Sequence, residues 1–315
     1  MGRVPPRARY ALAVVVAAVV VVAGSYLVIT HRPVASSSGV SVLATFFPVY
    51  DFARSIGGDR VAVSLLVPPT VDVHSFEPTP LSVEAVASAN VLIYSGAGLE
   101  PWIPAIVASA GNAGLTVVDS SAGIATLPVP PQFQRDNRTV DPHLWLDPVL
   151  AERQVANILA GLVAADPADR TYFEGNAQRY SAQLDGLNGE YANLTRSVET
   201  RSFVTFHEAF AYLAQEYSLT QIPIAGPFEE DPTPAEIQDV VNAVRGLGLC
   251  YVGYESLTNP AIAQSIASQT NASLIRMDPI EGLSAGDQAA GKTYLLKMHD
   301  NLDALGLALN HVGCS

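Results

Sequence analysis

The 315-residue chain predicts an α/β protein of two similar lobes with parallel sheets, joined by one long rigid helix. Three observations carry that expectation. From Val40 onward, short β-branched runs alternate with helical patterns. The two halves of that stretch echo each other at a nearly constant offset. Between them runs an apolar stripe with helical spacing that no proline interrupts.

The N-terminus comes first. Tyr10 to Thr30 (YALAVVVAAVVVVAGSYLVIT) is uncharged and as a helix would span about 31 Å, the hydrocarbon thickness of a bilayer. Arg3, Arg7 and Arg9 precede it, which orients the rest of the chain away from the cytoplasm. The competing reading is a cleaved signal peptide, whose apolar region is normally about 7–15 residues, shorter than this run. Residues 1–39 therefore read as a single membrane anchor plus the short tether Val34–Gly39 (VASSSG). With no cysteine before Cys250, a lipid-modified cysteine after the run is excluded.

In the first lobe, 40–166, strands are expected at Val40–Thr45, Val61–Val67, Val91–Ser95 and Thr116–Asp119. In the last, 201–315, they are expected at Ser202–Phe206, Gln221–Ala225, Cys250–Tyr254 and Ser273–Met277. Five helix starts pair a capping residue with proline: Thr79-Pro80, Asp147-Pro148, Asp166-Pro167, Thr233-Pro234 and Asn259-Pro260. Thr233 to Glu236 is also a capping box. The echoes are Thr45-Phe46-Phe47 with Thr205-Phe206-His207, Glu77-Pro78-Thr79-Pro80 with Asp231-Pro232-Thr233-Pro234, Tyr94 with Tyr254, and Asp119 with Asp278.

Between the lobes, Phe173, Ala177, Tyr180, Leu184, Leu187, Tyr191, Leu194 and Val198 follow steps of three and four. A helix over 167–200 would run about 50 Å. Its stripe suits either a dimeric coiled coil or packing along both lobes as a stiff spine.

Composition narrows function. There are 17 Lys+Arg against 30 Asp+Glu, and the four bases of the first 40 residues meet no acid, so the remainder carries −17. Such a surface repels phosphate backbones and excludes nucleic acid as a partner. Two cysteines are too few for a disulfide scaffold or a cysteine zinc cluster.

Of six histidines, His31 sits at the membrane exit, while His299 and His311 fall in a C-terminal helical pattern and read as surface or packing residues. His74, His143 and His207 occupy loop or strand-end positions, and Asp278 follows a strand. Ligands of open parallel α/β sheets bind outside the carboxyl ends of the strands, where His74, His207 and Asp278 fall. Three imidazoles and a carboxylate can enclose a divalent metal ion tetrahedrally. Spacing alone leaves a solvated loop histidine equally open at each position. Glu208 and Glu255 are the nearest alternative carboxylates, Glu208 reading as a helix-start acid. No helical zinc-protease signature, nucleophile elbow, phosphate loop or dinucleotide fingerprint occurs.

Six segments in order now carry a resemblance: Ala44-Thr45-Phe46-Phe47-Pro48, His74-Ser75-Phe76-Glu77-Pro78-Thr79-Pro80, Gly98-Leu99-Glu100-Pro101-Trp102, Asp141-Pro142-His143-Leu144-Trp145-Leu146-Asp147-Pro148, Phe206-His207-Glu208-Ala209-Phe210 and Met277-Asp278-Pro279. Together, over about Val40 to Leu309, they resemble the zinc/manganese-type solute-binding proteins of ABC importers. The resemblance implies a metal site between the two lobes and maps its ligands onto His74, His143, His207 and Asp278. It implies Zn2+ as the transported ligand, an ABC transporter permease as partner, and no enzymatic activity. Manganese-type members carry a carboxylate at the third position, so His207 points to zinc, with Mn2+ the alternative within the class. A surface adhesin and, last, a zinc hydrolase are the rival functions. Many zinc members carry a histidine-rich loop before the second ligand, and here 125–142 contains none before His143. Zinc members also often bridge two cysteines in the second lobe. With export this implies a Cys250–Cys314 disulfide, the alternative being a buried Cys250 and a free Cys314.

Overall fold

Residues 39–134, 138–228 and 230–314 are described by the computed structural model of the protein. The expected anchor, Tyr10–Thr30, lies outside them, and among the described residues no helix is long and apolar enough to cross a membrane.

The first-half strands are β1 (Val40–Ala44), β2 (Val61–Leu65), β3 (Val91–Tyr94) and β4 (Thr116–Asp119). They form one parallel sheet in the order β2-β1-β3-β4. Val91, Leu92 and Ile93 are all buried, as a strand covered on both faces requires. Helix α1 (Phe47–Gly57) follows β1, while α2 (Pro80–Ser88) and α3 (Ile103–Ala110) close a small apolar cluster with Leu43 and Leu92 on the other face.

In the second half, β5 (Ser202–His207) pairs with β6 (Thr220–Ala225), and β7 (Tyr251–Tyr254) with β8 (Ser273–Arg276), both parallel. β5 and β7 run side by side without a ladder between them. A Cβ on Gly253 would lie 2.4 Å from the Val204 carbonyl oxygen, so only glycine lets β7 approach β5 this closely. The spatial order β6-β5-β7-β8 repeats that of the first sheet. Helices α6 (Ala211–Glu216), α7 (Pro234–Leu247), α8 (Ala261–Thr270), α9 (Ala285–Ala289) and α10 (Tyr294–Leu309) complete this half, with α4 (Pro148–Ala165) and α5 (Arg170–Leu194) between the halves. Val204, Val241, Val252 and Ile266 form its own outer cluster.

Four of the five proline-marked starts carry the expected side-chain cap, while at the fifth Pro260 itself takes the cap position. Thr79, Asp147 and Thr233 cap α2, α4 and α7 by accepting from early backbone N–H groups. Asp166 caps a 3-10 turn at Pro167–Asp169, and Asn259 Oδ1 accepts from Ala261 N. The long helix is shorter than expected, 25 residues or about 37 Å. It starts after the 3-10 turn and ends where the Thr195 hydroxyl bonds back to the Tyr191 carbonyl. Its stripe from Phe173 to Tyr191 is buried in a core cluster that also contains Val42 and Ile93 of the first sheet and Phe203 of the second. The stripe is therefore packing surface of the chain itself. Cys250 and Cys314 form a disulfide with Cα atoms 5.2 Å apart.

Candidate metal centre

Four side chains from four separate segments converge. His74 lies in the loop after β2, where its own N–H bonds to Asp72 Oδ1 at 2.8 Å. His143 precedes a 3-10 turn, Leu144–Leu146, that leads into α4. His207 is the last residue of β5. The fourth is Glu281, in the loop after β8. Its Oε1 lies 3.0 Å from His74 Nε2, 3.2 Å from His143 Nε2 and 3.3 Å from His207 Nε2. One donor atom from each of these residues falls within 4.8 Å of all the others.

The remaining ring nitrogens explain the orientation. His143 Nδ1 is 2.7 Å from Asp141 Oδ1, and His207 Nδ1 is 2.7 Å from Glu255 Oε1. A carboxylate on Nδ1 fixes the proton there and turns Nε2 inward, as second-shell partners of metal-bound histidines do. Tyr212 of α6 holds the Asp141 carbonyl at 2.6 Å, and Glu255 also accepts from His207 N at 3.1 Å. His74 Nδ1, by contrast, is buried with no hydrogen-bond partner among the described residues. The Trp145 ring packs against His143 at a tilt of 54°, with centroids 5.1 Å apart.

Asp278, the fourth ligand expected from the sequence, does not join the group. Its Oδ1 accepts from Ile280 N at 2.9 Å, and its Oδ2 is 2.8 Å from the buried Lys297 ammonium. Asn301 brackets its peptide, accepting from Asp278 N and donating to Asp278 O. Asp278 thus closes the turn that presents Glu281 three residues later. Ile280 there adopts φ 61°, a costly conformation for a β-branched residue. Trp145 Nε1 clamps Pro279 O at 2.7 Å, and Leu283 N donates to Pro69 O at 2.7 Å. A Cβ on Gly282 would meet Pro69 O at 2.2 Å, so glycine is what lets this loop dock on the one carrying His74.

Glu255 is a positioning partner rather than a ligand in this geometry. Glu208 lies outside the group and three residues before α6, so it is not a helix-start acid; burial, then Asp141, push its carboxyl up to about 8. His299 pairs with Glu190 at 3.2 Å on the surface, and His311 is exposed.

Burial favours neutral imidazoles, but the carboxylates outweigh it. Glu281 holds His74 above its ordinary value, and Glu255 with Glu281 hold His207 well above. Burial likewise pushes Glu281 up, yet His74 and His207 bring it well below the usual carboxylate range.

Residues 42–308 match the family described as "Zinc-uptake complex component A periplasmic". The chain belongs to that family. It is 33% identical over 273 residues to the high-affinity zinc uptake system protein ZnuA of Bacillus subtilis, covering 84% of this chain and 86% of that one. It is 28% identical to zinc-binding lipoprotein AdcA of Streptococcus pneumoniae over 89% of this chain, and spans only 58% of AdcA. The crystal structure of Zn(II)-bound AdcA from that organism superposes with a TM-score of 0.76, over 88% of this chain and 59% of that one. The laminin-binding protein Lmb of Streptococcus agalactiae, described as having adhesin and metal-transporting activity, superposes with a TM-score of 0.78 at 29% identity, over 87% of this chain and all of that one (100%).

Proposed function

We propose that the chain captures Zn2+ outside the cytoplasm and hands it to the membrane permease of an ABC importer. The observation that carries this reading is the convergence of three imidazole Nε2 atoms and Glu281 Oε1. Three borderline nitrogen donors and one oxygen suit Zn2+ better than Mn2+, which favours oxygen donors. With neutral imidazoles the loaded site carries +1. Protons on His74 and His207 must leave as the ion enters, so binding releases protons.

In this reading 40–166 is one lobe, 201–315 the other, and α5 is the body of a brace over 167–200. His74 and His143 come from the first lobe, His207 and Glu281 from the second, so the ion is held across their seam. Residues 1–39 anchor the receptor beside its permease. Four protein donors leave tetrahedral zinc without the open position a hydrolase needs. The likeness to Lmb supports an adhesin reading only as an addition to metal binding.

Elemental analysis of the purified chain, with competition between Zn2+ and Mn2+, tests the proposal. One zinc per chain is expected, held more tightly than manganese. The affinity should fall as pH drops through the raised range of His74 and His207. Tighter manganese binding overturns the zinc assignment, and no metal binding overturns the receptor. Full-length protein should stay in membranes through alkaline washing; a mature N-terminus between Gly24 and Val40 would overturn the anchor.

A further inference from the structure

Asp278 and Glu281 line the same small cavity, about 30 Å³, together with Asp72 and Glu255. Two acidic residues, three apart in sequence, therefore line one cavity, and only Glu281 joins the histidines. The difference lies in what opposes each. Glu281 faces imidazoles. Asp278 faces Lys297, whose side chain is 1% exposed and whose Nζ sits 2.8 Å from Asp278 Oδ2 and 3.1 Å from Asp287 Oδ2. A buried ammonium is retained only where it is paired, and a buried carboxylate without its cation would seek another. Arg276, 3.5 Å from the Asp287 that shares Lys297, and the bound metal are the cations left to it.

We propose that Lys297 is a specificity-determining positioning residue. It neutralises Asp278 and locks it as the anchor of the turn, so that Glu281 alone supplies oxygen to the ion. The inference rests on the metal-receptor reading above. Without the ammonium, Asp278 becomes available as a second oxygen donor, and each added oxygen favours Mn2+ relative to Zn2+.

The test measures Zn2+ and Mn2+ affinities of the full chain by chelator competition in four variants. Glu281→Ala should lose more than about 100-fold in zinc affinity, above the range for outer-sphere partners. Adding Lys297→Met, which fills the same volume without charge, should recover at least about tenfold of that loss. Lys297→Met alone should raise the Mn2+/Zn2+ affinity ratio by about tenfold, a change that a merely structural lysine would not produce. Asp278→Asn, which keeps the acceptor for Ile280, should lose far less zinc affinity than Glu281→Ala; it keeps the inference testable if Lys297→Met does not fold. Lack of rescue in a folded double variant overturns the inference, as does a loss in Asp278→Asn as large as that in Glu281→Ala. In both cases histidine-dependent zinc binding by the unaltered chain leaves the receptor reading standing. Absence of zinc binding by the unaltered chain overturns both.

Discussion

The two halves share a plan and differ at the strand ends. β1 runs into Thr45-Phe46-Phe47, and β5 contains Thr205-Phe206-His207 at the same relative position. In the first half the buried carboxylate beside the strand end is Glu100, which accepts from Thr45 Oγ1, Ser95 N and Gly96 N and so closes its own loop. In the second it is Glu255, which turns the His207 ring. Asp119 and Asp278 also correspond, and each accepts from the N–H two residues on, of Ser121 and Ile280. At that offset Glu281 corresponds to Ala122. What repeats is frame, and what breaks the repeat is site.

The largest effects should follow the broken positions. His207→Ala should abolish tight zinc binding, while Phe47→Leu at the matching position should change affinity little. Glu255→Gln keeps an acceptor but loses the charge on His207 Nδ1, and should cost about 10- to 100-fold in affinity. Glu100→Gln should leave zinc affinity alone. Calorimetric titration of all four variants checks the contrast; equal losses at Glu255 and Glu100 would erase it.

That contrast also shows how much of the site was legible. The strands and four of the five capped starts follow from β-branched runs and Asx/Thr-Pro pairs, because those signals are local. The three histidines stood out because they are few and lie at strand ends. A carboxylate after a strand, as at Asp278, reads the same in sequence whether it binds metal or closes a turn. Its echo in Asp119, a residue with no histidine partners, was the available sign that it is frame. Glu281 had no such sign, since its place depends on the strained Ile280 and on packing against Pro69, contacts far apart in sequence. The Nδ1 partner Glu255 meets His207 across 48 residues, beyond any local pattern, whereas Asp141 lies two residues before His143, within reach of a local reading. Apolar spacing continues past the point where Thr195 ends the helix, so the expected span of 167–200 exceeds the observed Arg170–Leu194.

The disulfide has no counterpart in the first half. Cys314 brings the tail beside β7, where Gly313 N also bonds to Gly248 O at 2.8 Å. Replacing both cysteines by Ser should cost about 2–4 kcal/mol of stability. Zinc affinity should be unchanged, because neither cysteine adjoins the four donors. Denaturant unfolding and thiol labelling of the unreduced chain check this, and two reactive thiols in the unaltered protein would remove the bridge.

Glu100 offers a pH test confined to the first half. Burial, opposed by its three hydrogen bonds, pushes its carboxyl from 4.5 up to about 7. The folded state thus holds the proton more tightly than the unfolded one. The stability this contributes is fully present below about pH 4.5 and is lost as pH rises through about 7, at most about 3 kcal/mol. Glu100→Gln should flatten unfolding free energy across that window by a comparable amount. An unchanged pH slope would mean that Glu100 is ionised at little cost inside its loop.

The smallest contrast lies between the two matched helix caps. Thr79 and Thr233 occupy echoed Pro-Thr-Pro sequences, and each accepts from the backbone of the third helical residue, Ser82 and Glu236. Either Thr→Ala change should cost about 1 kcal/mol. The returning partner differs: Ser82 Oγ accepts from Thr79 N at 3.1 Å, whereas Glu236 Oε2 accepts from Thr233 N at 2.7 Å. A carboxylate in the first turn also meets the positive end of the helix dipole, worth about 0.3–1 kcal/mol and screened by salt. Glu236→Gln should therefore destabilise by that small amount at low ionic strength and much less at about 1 M salt, where the Debye length falls to about 3 Å. Ser82→Ala should show no salt dependence. Urea unfolding at the two salt concentrations separates them, and a salt-independent Glu236→Gln effect would mean that the cap works by hydrogen bonding alone.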